Sequence, residues 1–121
     1  MLMQATDQKI NFKKRVYYWA EKLEVKIVWL GVRFMRNKWA SCSTNGHLNF
    51  NAELPALDRD LWDYVIVHEL LHFFVPNHGR LWKSLMRAHL GDYETMAARL
   101  SASYLCQQLD EITPPAGIAP V

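Results

Sequence analysis

The residues best placed to do chemistry stand together in HELLH, at positions 68–72, between DYVIV and FFVPNH. On a helix, residues four apart lie one turn above each other, so His68 and His72 can aim imidazole nitrogens at one point. Zinc takes such nitrogens at about 2.0–2.1 Å and, in a catalytic site, keeps one position open for water. Glu69 is displaced by about 100° around the helix, close to the ion but off the ligand face. A carboxylate there can take a proton from that water, which is a general-base role. The competing account is a pair of core histidines bonded to backbone or tyrosine hydroxyls. Three residue types at fixed spacing coincide by chance in well under about one chain in a hundred of this length. YVIV before the motif and LL within it make the helix apolar nearly all round. Burying Glu69 there with no cation nearby costs about several kcal/mol, so the metal account is preferred.

A third protein ligand is needed, and three residues are candidates. His78 follows His68 by ten positions, just past a VPN turn, while Asp92 and Glu94 stand at the start of the last helix. A chain that reverses at 75–77 can bring His78 back under the ion, and three histidines are an accepted catalytic set, so His78 is favoured. His47 and His89 are isolated and fit ordinary surface or core histidines.

The elements that must position this group follow from periodicity. Phe12, Val16, Trp19, Ala20 and Leu23 form a helical stripe between Asp7 and Leu23, with Lys13, Lys14 and Arg15 pointing elsewhere on a solvated face. VKIVWLGVRF, residues 25–34, is rich in β-branched and aromatic residues and predicts a strand. KWASCS and HLNFN flank TNG at 44–46, and an Asn-Gly step predicts a hairpin because both residues accept positive φ. A small, mostly antiparallel sheet of three strands is expected. Asp58 is a candidate N-cap for a helix of about four turns, through LWDYVIVHELLHFF, which Pro76 must end. RLWKSLMRAHL predicts a shorter helix ending at Gly91, and Asp92 can cap a last one with Met96, Leu100 and Tyr104 on one side. The tail TPPAGIAPV should be extended or flexible. The fold class is α+β, with residues 1–112 as one domain and 113–121 as a Pro-rich tail.

Composition narrows the partners. The chain has 121 residues, half of them apolar, and 14 Lys and Arg against 12 Asp and Glu. That describes one globular domain with a real core and no charge excess that demands nucleic acid or an anionic membrane. No apolar run is long enough to span a bilayer, and MLMQATDQKINFKKR lacks the layout of a secretion signal. Cys42 and Cys106 are too few for a disulfide framework, so a cytoplasmic protein is expected.

KWASCSTNGHLNFNAEL followed by DYVIVHELLHFFVPNHGRLW resembles the YgjP-like metal-dependent hydrolases, allied to the SprT-like and WLM zincins. The resemblance spans about residues 15–100. It rests on Trp39, Ser41, Cys42, Ser43, Gly46, Asn51, Asp63, Tyr64, His68, Glu69, His72, Asn77, His78 and Trp82. It implies a minimal zincin-like fold, one Zn²⁺ per chain held by His68, His72 and His78, and Glu69 as the catalytic base. A polypeptide substrate follows, with zinc metallopeptidase chemistry. Lys38 and Ala40 replace the family's arginine and glycine, Gly79 and Leu81 alter its Asn-His-Ser-x-x-Phe-Trp ending, and an N-terminal β-rich portion of longer members is absent. Trp39, Ser41, Cys42 and Arg36 are candidate substrate contacts, since KWASCS predicts an edge strand beside the site that could pair with an extended peptide. Cys42 could instead be a fourth ligand or, as free cysteines usually are, a small buried thiol. Asp63 could hold a ligand histidine's second nitrogen, or pair with Arg36 or Lys38. Trp82 is expected to pack. Two alternatives stand beside the peptidase. One is metal-dependent hydrolysis of a nucleoside triphosphate, with Arg33, Arg36, Lys38 and Arg80 as its cations. The other is a non-enzymatic domain with a structural metal.

Overall fold

The computed structural model describes residues 5–36, 38–43, 45–75 and 77–105. Cys106 and the proline-rich tail therefore lie outside the described residues, as does the Tyr104 side chain. The order is α1 (Ala5–Leu23), β1 (Trp29–Arg33), β2 (Ala40–Cys42), β3 (His47–Asn51), a 3₁₀ turn (Leu54–Ala56), α2 (Arg59–Leu71), α3 (Arg80–Leu90) and α4 (Tyr93–Leu105). The α+β class holds, with four helices and one small sheet among the described residues.

The α1 stripe is buried as its spacing demands: Phe12, Val16, Trp19 and Ala20 are core residues. Phe12 meets Phe50 of β3 and Trp62 of α2 edge-on, at 5.1 and 5.4 Å between ring centroids. Arg15 leaves the solvated face expected for it and turns toward α2. Its guanidinium grips Asp63 at 2.7 and 3.0 Å, and the Trp19 indole N–H donates to the same carboxylate at 2.8 Å. Asp63 is thus a clamp between α1 and α2, and pairs with neither Arg36 nor Lys38.

The sheet is mixed, where a mostly antiparallel one was expected. Its order is β1-β3-β2, with β1 parallel and β2 antiparallel to β3. The hairpin supplies the antiparallel pair. The 34–39 link carries the chain across the end of β3, so β1 lies on the far side and runs the same way. Leu30, Val32, Leu48 and Phe50 then share the buried face. Asn51 secures the link from inside, donating to Met35 O at 2.8 Å and Lys38 O at 3.0 Å. Among the described residues of the hairpin only Gly46 takes positive φ, +93°, and Ser43 N–H bonds His47 O across the turn. β1 is shorter than residues 25–34 suggested, because Val25 N–H first returns to Ala20 O to finish α1.

α2 is the central helix, buried along most of its length. Asp58 occupies its N-cap without a side-chain capping bond and instead pairs with Arg99 of α4. Asp92 does cap α4, accepting from Thr95 N–H at 3.2 Å and from its hydroxyl at 2.6 Å. Among the described residues, no helix is long and apolar enough to cross a membrane.

Candidate metal centre

α2 stops at Leu71, so His72 is its C-cap rather than a mid-helix residue. Beyond it, Phe73 N–H and Phe74 N–H reach back three residues, to Leu70 O at 3.1 Å and Leu71 O at 2.9 Å, tightening the last turn. The chain then reverses and returns His78. One ring nitrogen from each of His68, His72 and His78 lies within 4.8 Å of the others. His72 Nδ1 meets Val75 O at 3.1 Å, which makes that nitrogen the donor and leaves the lone pair on Nε2. His72 Nε2 and His78 Nε2 are 3.1 Å apart.

The donor set fits a small divalent ion. Ligand nitrogens around zinc at its usual bond length sit about 3.3 Å from one another, and the His72–His78 spacing of 3.1 Å is close to that. Burial and the charge of neighbouring histidines hold His68 well below the usual imidazole range and His78 down to about 4, so both offer neutral lone pairs. Buried polar atoms without partners collect here as well: His68 Nδ1, Glu69 Oε2 and the Trp82 indole nitrogen. Such atoms are costly in an apolar interior unless a charge or water serves them.

Glu69 is 2 % exposed. Burial raises its carboxyl to about 7, against the opposing pull of His72, Cys42, His78 and Lys38. Its Oε2 comes within 3.4 Å of His68 Nδ1 without forming a hydrogen bond. The Cys42 thiol faces this carboxylate and is pushed up to about 12 by its own burial and then by the Glu69 charge. It is a protonated thiol beside Glu69 and stands outside the histidine triplet.

Aromatic rings wall the centre. Trp82 lies 4.9, 6.4 and 4.6 Å from the rings of His68, His72 and His78. Tyr64, one turn before His68, packs 5.7 Å from it and stacks on Tyr93 at 6.5 Å. Trp82 packs, as expected, but against the histidines themselves. Tyr64 entered only through the family resemblance and Tyr93 not at all, although the four-residue step from Tyr64 to His68 puts those two on one helix face.

The remaining candidates are dispersed. Trp39 is 2 % exposed and belongs to the core, out of reach of a substrate. Ser41 pairs in register with Asn49 on the sheet face opposite Ala40 and Cys42, so it points away from Glu69. Arg36 is exposed in the β1–β2 link. Glu94 pairs with Arg87 at 3.2 Å and Asp92 caps α4, so neither joins the three histidines.

Comparison with known proteins places this fold among metallopeptidase domains. The model of the YgjP-like metallopeptidase domain matches residues 3–103. The structure is similar to the crystal structure of the metallopeptidase zymogen jannalysin of Methanocaldococcus jannaschii. The TM-score is 0.66 and the identity 26 %, over 81 % of this chain and 96 % of that one. The two share a minimal zincin-like fold. Among curated proteins none matches.

Proposed function

The chain belongs to the YgjP-like family of metallopeptidase domains, and we propose that it is a zinc-dependent peptidase in which His68, His72 and His78 hold the ion and Glu69 is the general base. The observation that carries this reading is the convergence of three imidazoles beside a buried carboxyl poised near neutrality. When bound, Zn²⁺ would acidify a water and polarise the scissile carbonyl. Glu69 takes the proton of the attacking water and passes it to the leaving amine. A carboxyl titrating near 7 is suited to both transfers. The Val75 carbonyl fixes the His72 tautomer, and Trp82, Tyr64 and Tyr93 keep bulk water from behind the ligands.

Metal analysis of the purified chain, with turnover of unfolded casein by wild type and Glu69→Gln, tests the reading. About one zinc per chain is expected in both, with cleavage lost in Glu69→Gln and on chelation. Equal turnover by the two proteins refutes the base. Zinc that is needed for folding, in a chain cleaving nothing, would make the ion structural.

A further inference from the structure

The sheet has two edges, and they differ. β2, which packs against α2, is one; β1 is the other. Edge strands are commonly blunted by a lysine, a proline or a bulge, because their free backbone groups invite another strand. β1 carries none of these. Its register against β3 runs unbroken from Trp29 to Arg33, and residues 28–34 read VWLGVRF. Instead the segment exposes large apolar side chains: Val28, Trp29 and Phe34 are 63, 56 and 66 % exposed. The metal centre uses none of them.

The backbone of β1 is only half engaged. Trp29 N–H reaches Gly46 O at 3.2 Å, and Arg33 O accepts from Ala52 N–H at 2.9 Å. These two residues, with Gly31 between them, therefore turn their backbone groups to β3. Alternation along the strand turns the N–H and C=O of Leu30 and Val32 to the open edge. The side chains have a matching symmetry. A second, antiparallel β1 centred on Gly31 sets Leu30 opposite Val32 on the core face, with Val28 opposite Phe34 beyond them. On the outer face Trp29 falls opposite Arg33, where a guanidinium can lie on the indole. Gly31 meets its own copy at the two-fold, in a pair whose Cα atoms approach to about 4.5 Å. The Trp29 indole nitrogen already leans over Gly31, 3.1 Å from where a Cβ would stand. Two indoles would thus close over two glycines. The one charge in the strand meets an aromatic ring and not its own copy.

We infer that β1 pairs with β1 of a second copy of this chain, antiparallel about Gly31, joining two three-stranded sheets into one. A two-fold interface must be self-complementary, and this register meets that condition at every position. Leu30 and Val32 exchange about four backbone hydrogen bonds across it. β2 and the metal centre beside it stay at the outer ends of the joined sheet. A single strand pair buries less than the roughly 1,200 Å² of a standard interface, so the dimer is weak, with a Kd of about 1–100 µM.

Sedimentation velocity of the full chain over about 1–300 µM tests this, spanning the expected Kd. Wild type should pass from monomer to dimer as concentration rises. Trp29→Lys, at an exposed position, sets an ammonium opposite Arg33 and should weaken the dimer about tenfold or more. Adding Arg33→Glu to Trp29→Lys makes that pair opposite in sign and should recover the dimer, since no other antiparallel register brings the two positions together. Circular dichroism checks the fold, and Phe34→Lys, opposite Val28, takes the place of Trp29→Lys if that variant misfolds. A wild type that stays monomeric overturns the inference and leaves the edge to an extended segment of another protein. A dimer indifferent to the single variant, or a double variant no more dimeric than Trp29→Lys, overturns it as well.

Discussion

Replacing Asp63 by alanine should destabilise the protein by about 2–4 kcal/mol while leaving the metal centre intact. The carboxylate accepts two bonds from Arg15 and one from Trp19, across 48 and 44 residues of chain. Removing one partner of a fully buried ion pair costs about 3–5 kcal/mol, and a stranded indole N–H adds about 1–3. The side chains are 24 % and 15 % exposed. Water can therefore reach the abandoned guanidinium, which brings the total below the fully buried figure. Urea unfolding gives the free energy directly, and a fall in Tm of about 10 °C or more should accompany it. Arg15→Met combined with Asp63→Ala should cost less than the sum of the two singles, because they break one interaction. A loss under about 0.5 kcal/mol, or additive effects, would refute the clamp. A drop in zinc content at full folding would return Asp63 to the role of supporting a ligand histidine.

Three further outcomes follow. His78→Ala should empty the metal site while Glu94→Ala keeps it full, measured as zinc per chain after dialysis. The reverse pattern would move the third ligand to α4. Glu24 ends α1 at φ 59°, with Val25 N–H closing on Ala20 O at 2.8 Å, so Glu24→Gly should raise stability by up to about 1 kcal/mol in urea titration. In the metal-free chain, His68 and His78 stay neutral where a free imidazole titrates at 6.5, so the unfolded state binds more protons and stability falls as pH drops through that value toward 4. Glu69 opposes this. It keeps its proton up to about 7 where a free carboxyl loses it near 4.5, which lowers stability as pH rises across that span. Glu69→Gln should therefore steepen acid destabilisation between pH 5 and 7, read from urea midpoints of chelated protein.

What was legible in the sequence is what short-range periodicity encodes. The α1 stripe, the turn at Gly46 and the pairing of His68 with His72 all follow from side-chain direction over a few residues. What was not legible depends on distant partners. Nothing near Asp63 announces that Arg15 and Trp19 will reach it from α1. Nor does the alternation in β1 say that it will lie beside β3, since that follows from packing Leu30 and Val32 with Leu48 and Phe50 on one face. Ser41 and Cys42 are neighbours in KWASCS, and the two-residue strand period sends one to the outer sheet face and the other to Glu69. Which residues of the segment face Glu69 could not be sorted before the register was known.

The end of α2 is where the sequence and the chemistry part most usefully. Apolar Phe73 and Phe74 continue the helical pattern and suggest four full turns, yet the helix tightens at Leu71 and the chain turns back. Continuing it would have carried His78 along the same axis, about 15 Å from His68 at the helical rise. Ending it early brings the two imidazole rings to 4.9 Å. The same turn solves a second problem. The Val75 carbonyl, in the turn beyond α2, takes the Nδ1 proton of His72, so one bond gives that backbone group a partner and fixes which nitrogen faces His78. The third histidine and the tautomer of the second therefore depend on one event, the reversal of the chain after Leu71. A variant that lengthens α2 should lose both together, even with every histidine in place.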